Sequence, residues 1–339
     1  MAALFLTLKN IFHGFVAAAM LIPIIATMGN SGNPDTPVET YPESDNPYIT
    51  EYLDPDISAH RSGAGIAPQN TLMAFENIIE QSDSLDIDAL EFDVQITADG
   101  ELILLHDLTY DGTSNAVEAF GKKNNYASAI TFEEAQVLNM GENFKGNGDY
   151  PYRGLRGDEI PYNLRVVTCD TVIDYIESNS GNKKYNYNIE IKSIGANGKK
   201  AVDRLYEIIT ERNLQDRVIW STFAPDVSGY MKKEYPDISR TADAIEAVQF
   251  YFYFRMGWEL SDVKPSYIAL QIPYGDSAAG GLINLGTRKV INYAHKNDIA
   301  VQYWTINDPD EMRTLIELGC DCIMTDNPKL LKSVLEEYK

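Results

Sequence analysis

A strand-like segment of the sequence carries two carboxylates at a spacing that suits cation binding. In Ala89–Ile96, the period of two of an extended chain places Glu91, Asp93 and Gln95 on one face and apolar residues on the other. A half-exposed strand produces the same alternation. In a parallel α/β sheet both faces are buried, and an inward carboxylate must be paired or bound to a cation to offset its desolvation.

A second segment repeats this arrangement and adds a positive charge. In Ile189–Lys192, Glu190 and Lys192 lie on one face of the extended chain. The three inward carboxylates of Glu91, Asp93 and Glu190 predict one divalent cation, and oxygen donors suit Mg²⁺ or Ca²⁺ better than Zn²⁺. Lys192 either neutralises a carboxylate in a plain ion pair or holds a substrate phosphate, and we favour the phosphate role.

Two of the four histidines stand where a strand gives way to a loop. His60 precedes a glycine-rich turn, and His106 ends the apolar run Leu102–Leu105. The loops that follow the strands form the catalytic face of α/β barrels. A single histidine there more often orients a loop, but two around a carboxylate pair suit general acid and general base catalysis. We expect His106 to be the acid, because it follows the strand beside the carboxylates, and we expect His295 at the surface.

The chain from about Glu51 onward alternates strand-like and helix-like segments, which is the pattern of a parallel α/β fold. The strand-like segments are Ala59–Arg61, Ala89–Thr97, Leu102–His106, Tyr187–Lys192, Val218–Phe223, Arg240–Ala244, Tyr267–Pro273, Ala300–Asn307 and Cys320–Thr325. The helix-like segments are Asn70–Ile79, Thr168–Ser178, Lys199–Arg212, Thr287–Lys296 and Pro309–Leu318. These nine candidate strands are one more than a closed eight-stranded barrel needs, and the tight turn Ala98–Gly100 predicts that two of them pair antiparallel.

Most of the 339 residues belong to one predicted domain. We assign residues 51–339 to a barrel, with a loop-rich insertion at about 107–163 that is rich in Gly, Asn and Tyr. Residues 29–50 have the composition of a flexible, solvated linker. The three cysteines are too few for a disulfide scaffold, and we expect them to be buried.

The N-terminal segment has the composition of an export signal. Residues 1–28 are almost wholly apolar, as in a secretory signal peptide or an N-terminal anchor. The uncharged run Gly14–Met28 is shorter than the ~20 residues that usually span a bilayer, which favours a cleaved signal over an anchor. We therefore expect a secreted or extracytoplasmic protein, with the anchored form as the alternative.

The net charge of −22 argues against one class of partner. With 50 acidic and 28 basic residues, the surface repels phosphate backbones, so we expect no binding to nucleic acid. A small anionic substrate needs a local cationic site to overcome this field. Contact with a membrane or lipid surface, and the oligomeric state, are left open by the sequence.

A series of short motifs resembles one known family. In chain order they are His60-Arg61-Ser62-Gly63, Pro68-Gln69-Asn70-Thr71, Glu91-x-Asp93-Val94, Thr97-x-Asp99-Gly100, His106-Asp107, Glu190-Ile191-Lys192, Ser221-x-Phe223, Trp304-Thr305-Ile306-Asn307 and Thr325-Asp326-x-Pro328. Together, over residues 57–334, they resemble the glycerophosphodiester phosphodiesterase family. The resemblance implies a distorted (β/α)₈ TIM barrel of the phosphatidylinositol phosphodiesterase-like type. It also implies hydrolysis of glycerophosphodiesters, as small-molecule substrates, to glycerol 3-phosphate and an alcohol.

The resemblance assigns roles to the reacting groups. It makes Glu91, Asp93 and Glu190 the ligands of one divalent cation, and His60 and His106 the acid and base pair. The family is similar to phosphatidylinositol phospholipases C. This similarity implies that a neighbouring hydroxyl of the substrate attacks phosphorus, which gives a cyclic phosphate that water then opens.

The resemblance also implies how the substrate is held. Arg61 and Lys192 would hold the phosphate oxygens and so take part in catalysis, and Trp304 would line the pocket. Two positions depart from the family pattern, because Gln69 stands where the usual residue is Glu and Gly112 where it is Arg. These departures leave the reacting groups intact and bear on substrate size and loop geometry.

Two other functions are compatible with the sequence. Lysophospholipase D or sphingomyelinase D activity uses a similar set of residues with a lipid substrate, and it needs an apolar approach to the pocket. The aromatic stretch Gln249–Trp258 could provide this approach, although aromatic residues at such density are more often buried in helix packing. The other alternative is a non-catalytic barrel that binds a ligand, but its inward carboxylates would cost several kcal/mol without a metal.

Overall fold

Eight parallel strands form a nearly closed barrel in the computed structural model of the chain. The structure describes residues 36–39, 44–146, 148–263, 265–274 and 285–339. The strands are β1 Asp56–Ala59, β2 Ala89–Ile96, β3 Leu102–Leu104, β4 Asn186–Ile191, β5 Val218–Ser221, β6 Ser239–Arg240, β7 Ala269–Pro273, β8 Ala300–Trp304 and β9 Cys322–Thr325. All but β3 belong to the barrel, which confirms the predicted TIM-barrel fold.

The strand order places the strands that carry the predicted site residues side by side. Around the barrel the order is β6, β5, β4, β2, β1, β9, β8, β7. The circle closes between β6 and β7, where Thr241 pairs with Ala269 and Ile268 donates its N–H to the carbonyl of Arg240 at 3.0 Å. Strand β3 pairs antiparallel with β2, as the turn at Gly100 predicts, which accounts for the ninth candidate strand. The carboxyl ends of the eight barrel strands therefore meet at one face.

Helices follow most of the barrel strands and cover its outside. They are α1 Leu72–Glu80, α2 Ser82–Leu85, α3 Ala116–Ala119, α4 Phe132–Ala135, α5 Cys169–Asn179, α6 Gly195–Glu211, α7 Pro225–Glu234, α8 Ala244–Met256, α9 Arg288–Lys296, α10 Pro309–Leu318 and α11 Pro328–Leu335. Side chains cap several of their starts: Thr71, Thr168 and Asp308 each accept a backbone N–H of the first turn. Within the described ranges, no helix has the length and apolar character needed to cross a bilayer. The predicted export segment, residues 1–28, lies outside the described residues.

The apolar face of β2 packs against the helical layer. Phe92 makes edge-to-face contacts with Phe75 of α1 and Tyr187 of β4, with ring centroids 5.6 and 6.4 Å apart. Leu90, Phe92 and Val94 are fully buried, and burial of each such side chain stabilises the fold by about 1.5–3 kcal/mol. Because successive side chains of a strand point to opposite faces, this packing directs the alternate, polar residues of β2 into the barrel.

Two predicted strands lie at other positions. Strand β1 ends at Ala59 instead of beginning there, and His60–Ser62 forms a short 3₁₀ turn. Strand β6 is two residues long and does not extend to Ala244, which begins α8. In both places the residues after the strand form the loop at the carboxyl face. Apolar content in the sequence does not mark the point at which backbone pairing stops.

The segment between β3 and α5 contains the predicted insertion 107–163. It packs around a small apolar core of its own, which includes the fully buried Tyr110. Its described residues form short helical turns and loops. The guanidinium of Arg156 binds Glu118 at 2.5 Å and Glu142 at 2.8 Å. These contacts give a long, polar connection a fixed shape beside the carboxyl face of the barrel.

Residues 44–50 pack against the barrel and do not behave as a solvated linker. Asn46 donates through Nδ2 to the carbonyls of Ile268 and Asp298 at 2.7 and 2.9 Å. Tyr48 is buried in an apolar cluster with residues at the amino ends of the strands. The predicted flexible linker is therefore wrong for this part of the chain, because its side chains contribute to closing that end of the barrel.

His295 is not at the surface. Its side chain is 11% exposed, and its Nε2 lies 2.8 Å from Oδ2 of the buried Asp321. The prediction that His295 lies at the surface was therefore wrong. Its helical position in the sequence does not reveal Asp321, a partner at the start of another strand. The free cysteines are buried, as predicted; they are Cys169, Cys320 and Cys322.

We predict that Asp56 makes the fold less stable as the pH rises. Burial, followed by Asp88 and Asp321, raises the pKa of Asp56 from 3.8 to about 7. Between these values the unfolded chain is ionised while the folded chain keeps the proton, so stability falls as the pH rises through this window. When the pH is raised from ~5 to ~8, the free energy of unfolding of Asp56→Asn should fall by about 2 kcal/mol less than that of the wild type.

The exposed Asp158 provides the matched control for this measurement. Urea unfolding of Asp158→Asn at the same pH values should follow the wild-type curves. If Asp56→Asn loses as much stability as the wild type over this range, Asp56 does not carry the linkage.

Candidate active site

The register between β2 and β4 brings three carboxylates together inside the barrel. Asp93 lies opposite Glu190, and Glu91 lies opposite Asn188, on adjacent parallel strands. One carboxylate oxygen from each of Glu91, Asp93 and Glu190 lies within 4.8 Å of the other two. Glu91 and Asp93 are buried, and Glu190 is half-buried. The structure therefore assembles the three residues that the sequence predicts as metal ligands.

The loop after β1 orients two of these carboxylates. Arg61 donates its backbone N–H to Oε2 of Glu91 at 2.6 Å. Asn70 donates through Nδ2 to Oδ2 of Asp93 at 2.8 Å and accepts the Asp93 N–H at 3.2 Å. Arg61 and Ser62 have φ angles of 48° and 59°, a left-handed conformation that surrounding contacts must enforce. The loop is thus shaped around the carboxylates.

The burial of neighbouring carboxylates opposes their ionisation. Burial and Asp93 raise the pKa of Glu91 to about 7, and burial also raises the pKa of Glu190. Burial opposes ionisation of Asp93 as well, but Lys192 and Arg61 outweigh it and hold the pKa of Asp93 below its usual range. Two cations therefore face three carboxylates in this cluster.

The cluster fits a divalent cation. Its donors are carboxylate oxygens that converge from two neighbouring strands. The raised pKa values of Glu91 and Glu190 indicate that a further positive charge would stabilise the ionised form. Glu91, Asp93 and Glu190 would hold the ion, and oxygen donors match a hard cation such as Mg²⁺ or Ca²⁺.

Lys192 and Arg61 bring positive charge to the same place. Nζ of Lys192 lies 2.7 Å from Oε1 of Glu190 and 3.2 Å from Oδ1 of Asp93. Nε of Arg61 lies 3.5 Å from Oδ2 of Asp93, and its Nη1 donates to Oε1 of Gln69 at 2.6 Å. The ion pair that the sequence allowed for Lys192 is present, and both cations also line the cavity above the carboxylates.

His60 is held by a carboxylate that lies far away in the sequence. Its Nδ1 is 2.6 Å from Oδ1 of Asp326, which follows β9. Oδ2 of Asp326 accepts a hydrogen bond from Nδ2 of Asn307 at 2.7 Å. Burial disfavours the imidazolium, but Glu91 and Asp326 outweigh it and raise the pKa of His60. His60 therefore retains a proton more readily than an ordinary histidine.

His106 occupies a more exposed setting with the opposite charge preference. Its Nδ1 lies 2.8 Å from Oδ1 of Asp107. Burial, together with Lys192 and Arg61, lowers the pKa of His106, although Asp93 and Asp107 act in the opposite direction. The pKa values of the two histidines are therefore shifted in opposite directions.

A cavity of about 160 Å³ at the carboxyl ends of the strands joins these groups. Phe223 and Trp304 form part of its wall, with ring centroids 5.8 Å apart, and Nζ of Lys192 lies 5.7 Å from the centre of the Phe223 ring. The site residues predicted from the sequence all line this cavity; they are His60, Arg61, Glu91, Asp93, His106, Glu190, Lys192 and Trp304.

The sequence-based prediction missed the residues that position the reacting groups. Asp326 contacts His60 across 266 positions of sequence, and no spacing rule links them. Asn70 and Phe223 belong to motifs that resemble the family, yet their contacts with Asp93 and Lys192 follow only from the folded barrel. The available signal was position, because Phe223 and Asp326 each follow closely on a barrel strand.

The barrel, with charged side chains and histidines in a cavity at its carboxyl face, has the architecture of a TIM-barrel enzyme, and comparison with known proteins gives the family. The glycerophosphoryl diester phosphodiesterase family matches residues 60–330. The chain belongs to this family and is a phosphoric diester hydrolase. A glycerophosphodiester phosphodiesterase of Caldanaerobacter subterraneus subsp. tengcongensis is 28% identical over 281 residues, which cover 83% of this chain and 98% of that protein. The non-catalytic alternative is therefore not supported.

Solved structures share the fold. A protein of Silicibacter pomeroyi superposes with a TM-score of 0.63 at 19% identity, and the match covers 84% of this chain and 94% of that one. A phosphodiesterase of Oleispira antarctica, solved in complex with the product sn-glycerol 3-phosphate, superposes with a TM-score of 0.61 at 21% identity. That match covers 83% of this chain and 97% of the other.

We predict that a divalent cation stabilises the folded chain through the carboxylate cluster. Because a ligand that binds only the folded state raises its stability, Mg²⁺ or Ca²⁺ should raise the melting temperature of the wild type, and EDTA should reverse the rise. The rise should be larger at pH ~8 than at pH ~6, because Glu91, with a pKa of about 7, must lose its proton to bind the ion.

Two variants separate this effect from general salt binding. Asp93→Asn removes one ligand and should abolish the rise in melting temperature, whereas Asp158→Asn, at an exposed position, should retain it. An equal rise in both variants would assign the stabilisation to other acidic residues.

Proposed function

We propose that the enzyme hydrolyses glycerophosphodiesters to glycerol 3-phosphate and an alcohol, with one bound Mg²⁺ or Ca²⁺ and two histidines. The observation that carries the proposal is the meeting of three carboxylates, two cations and two histidines in one cavity. Their arrangement provides a cation site, phosphate-binding charges and proton-transfer groups within one small volume. Membership of the family supports the same substrate class.

The proposed reaction has two steps. The 2-hydroxyl of the glycerol moiety gives its proton to His106 and attacks phosphorus. The bond between phosphorus and the alcohol oxygen breaks, and His60 protonates that oxygen. Water then opens the cyclic phosphate to glycerol 3-phosphate as the two histidines reverse their roles. A bound divalent cation would stabilise the negative charge on the phosphate oxygens.

The protonation preferences support this assignment of acid and base, which reverses the expectation from the sequence. Asp326 and Glu91 favour the imidazolium of His60, whereas burial and two cations favour the neutral form of His106. A protonated histidine can donate to a leaving group, and a neutral one can accept a proton from a nucleophile. Position after a strand could not distinguish these environments.

Arg61 and Lys192 are proposed to hold the phosphate. Both line the cavity and both contact Asp93, so each can exchange part of a carboxylate contact for a phosphate oxygen. Trp304 and Phe223 would contact the glycerol moiety from the side. The small volume of the cavity supports a compact glycerol group in this position.

A lipid diester is the second candidate substrate, with the apolar approach at a different place from the one considered in the sequence. Ile194, Phe223 and Ile245, at the carboxyl ends of the adjacent strands β4, β5 and β6, are 45%, 54% and 63% exposed. In the aromatic stretch Gln249–Trp258, Phe250 and Tyr251 are buried, whereas the exposed Met256 and Trp258 do not line the cavity. Exposed apolar side chains near the cavity would suit an acyl chain, so lipid contact and lysophospholipase D or sphingomyelinase D activity are proposed as alternatives.

We also propose that the protein acts outside the cytoplasm. The support is the apolar composition of residues 1–28. Mass spectrometry of exported protein should find a chain that begins between Met28 and Thr36. An intact N-terminus in the membrane fraction would instead indicate an anchor.

The test of function is release of glycerol 3-phosphate from a panel of glycerophosphodiesters and one lysophospholipid, measured with Mg²⁺, with Ca²⁺ and with EDTA. We expect the metal-loaded enzyme to release glycerol 3-phosphate from the small diesters and EDTA to abolish the activity. Lysophosphatidic acid from the lysophospholipid, without turnover of the small diesters, would favour the lipid alternative.

We predict that both histidines are required but that they depend differently on the leaving group. His60→Ala and His106→Ala should each lower kcat by ~10²–10⁴ on an alkyl diester, because general acid–base catalysis contributes about this much. On a nitrophenyl diester, whose leaving group needs little protonation, His60→Ala should recover most of the rate of the first step and His106→Ala should not. The initial release of nitrophenol measures this first step, before water opens the cyclic phosphate.

The double variant and metal binding provide the controls. His60→Ala with His106→Ala should lose less than the product of the two single losses, because the pair acts as one unit. Both single variants should keep the rise in melting temperature with metal. Equal losses on the two substrates together with a lost metal response would mean that the histidines only hold the loops.

A further inference from the structure

A second cleft adjoins the reaction cavity and has no role in the chemistry described above. It has a volume of about 450 Å³, which is larger than the reaction cavity. His60, Arg61 and Thr305 line both spaces, so the two are continuous at these residues. A phosphate held by Arg61 would therefore have the reaction cavity on one side and this cleft on the other.

The walls of the cleft are fixed in position. One wall is the loop after β1, which includes Gln69, and the other is the insertion, which contributes Gly112 and the stretch 143–145. Nδ2 of Asn143 donates to the carbonyl of Gly112 at 2.9 Å and ties the two parts of the insertion together. Glu142, the residue before Asn143, is held by Arg156 at 2.8 Å.

Gly112 contributes only backbone to the wall of the cleft, so no side chain at this position narrows the space.

The charges that face the cleft favour an anion. Arg61 and Lys145 are its cations, and Arg61 contacts the neutral Gln69. The carboxylate on its wall, Asp326, already accepts hydrogen bonds from His60 and Asn307. Among the residues that the structure describes, exposed Lys145 forms no ion pair. A local positive charge contrasts with the net charge of −22 of the whole chain.

We propose that this cleft receives the alcohol group of the diester and that Lys145 selects alcohols that carry a negative charge, such as a carboxylate. The inference rests on the proposed function. The reaction cavity, of about 160 Å³, fits the compact glycerol group, and the adjoining cleft, of about 450 Å³, is left for the alcohol. The departing alcohol then lies on the side of His60, toward the cleft.

The test compares three glycerol 3-phosphate diesters whose alcohols are 3-hydroxypropanoate, propanol and choline. They carry a negative, a neutral and a positive alcohol group of similar size. For the wild type we expect the highest kcat/KM with the hydroxypropanoate ester. Lys145→Glu should lower kcat/KM for that ester roughly five- to tenfold. The kcat/KM of the propyl ester should stay within about twofold of the wild-type value, and that of the choline ester should rise.

Matched variants separate selectivity from folding. Lys145→Arg should keep the wild-type order of the three esters, and Lys122→Glu, at an exposed lysine of the insertion that lines neither cavity, should leave all three values unchanged. Melting temperatures of all variants should match the wild type.

The failures of the two proposals can be told apart. If Lys145→Glu changes kcat/KM for the three esters by the same factor, or leaves all of them unchanged, Lys145 does not face the alcohol and the inference is wrong. If the wild type hydrolyses none of the three esters, the proposed function fails, and the role of the cleft fails with it.

Discussion

The close approach of three carboxylates inside the barrel is the constraint on which the rest of the site depends. Glu91, Asp93 and Glu190 cannot all be ionised at one place inside a barrel unless positive charge is brought to them. Arg61 and Lys192 supply part of that charge, and the strained loop after β1 supplies backbone and amide hydrogen bonds. A divalent cation would relieve the remaining imbalance, which supports the cation site proposed for the cluster, and the same positive charges support a phosphate in the space above it.

The surrounding fold converts this charge cluster into an asymmetric site. Asp326 arrives from the last strand and favours a protonated His60, whereas His106 lies near both cations and favours the neutral form. The pKa values of two residues of the same type are thereby shifted in opposite directions, which supports the acid and base roles proposed for them. The insertion adds a second asymmetry. It forms one wall of the second cleft, which is larger than the reaction cavity, contains cationic side chains and lies on the His60 side.

Features outside the site serve to hold the barrel in this arrangement. The contact between Phe92 and Phe75 fixes which face of β2 points inward, and the antiparallel pairing of β3 supports the strand end that leads to His106. Tyr48 contributes an apolar contact at the other end of the barrel. Asp56, at the same end, has a raised pKa, so its ionisation opposes the stability of the fold at higher pH.

The sequence by itself determined the alternation of strands and helices, the inward face of β2 and β4, and the set of groups able to bind a cation and move protons. These follow from local rules, because the period of a strand and the chemistry of a side chain are properties of short segments. The tertiary structure decided where β1 and β6 end and how residues 44–50 pack. It also decided the pairing of His295 with Asp321 and the opposite pKa shifts of the two site histidines. Each of these depends on partners that are distant in sequence, and a local pattern contains no information about such partners or about the burial and charge that they impose.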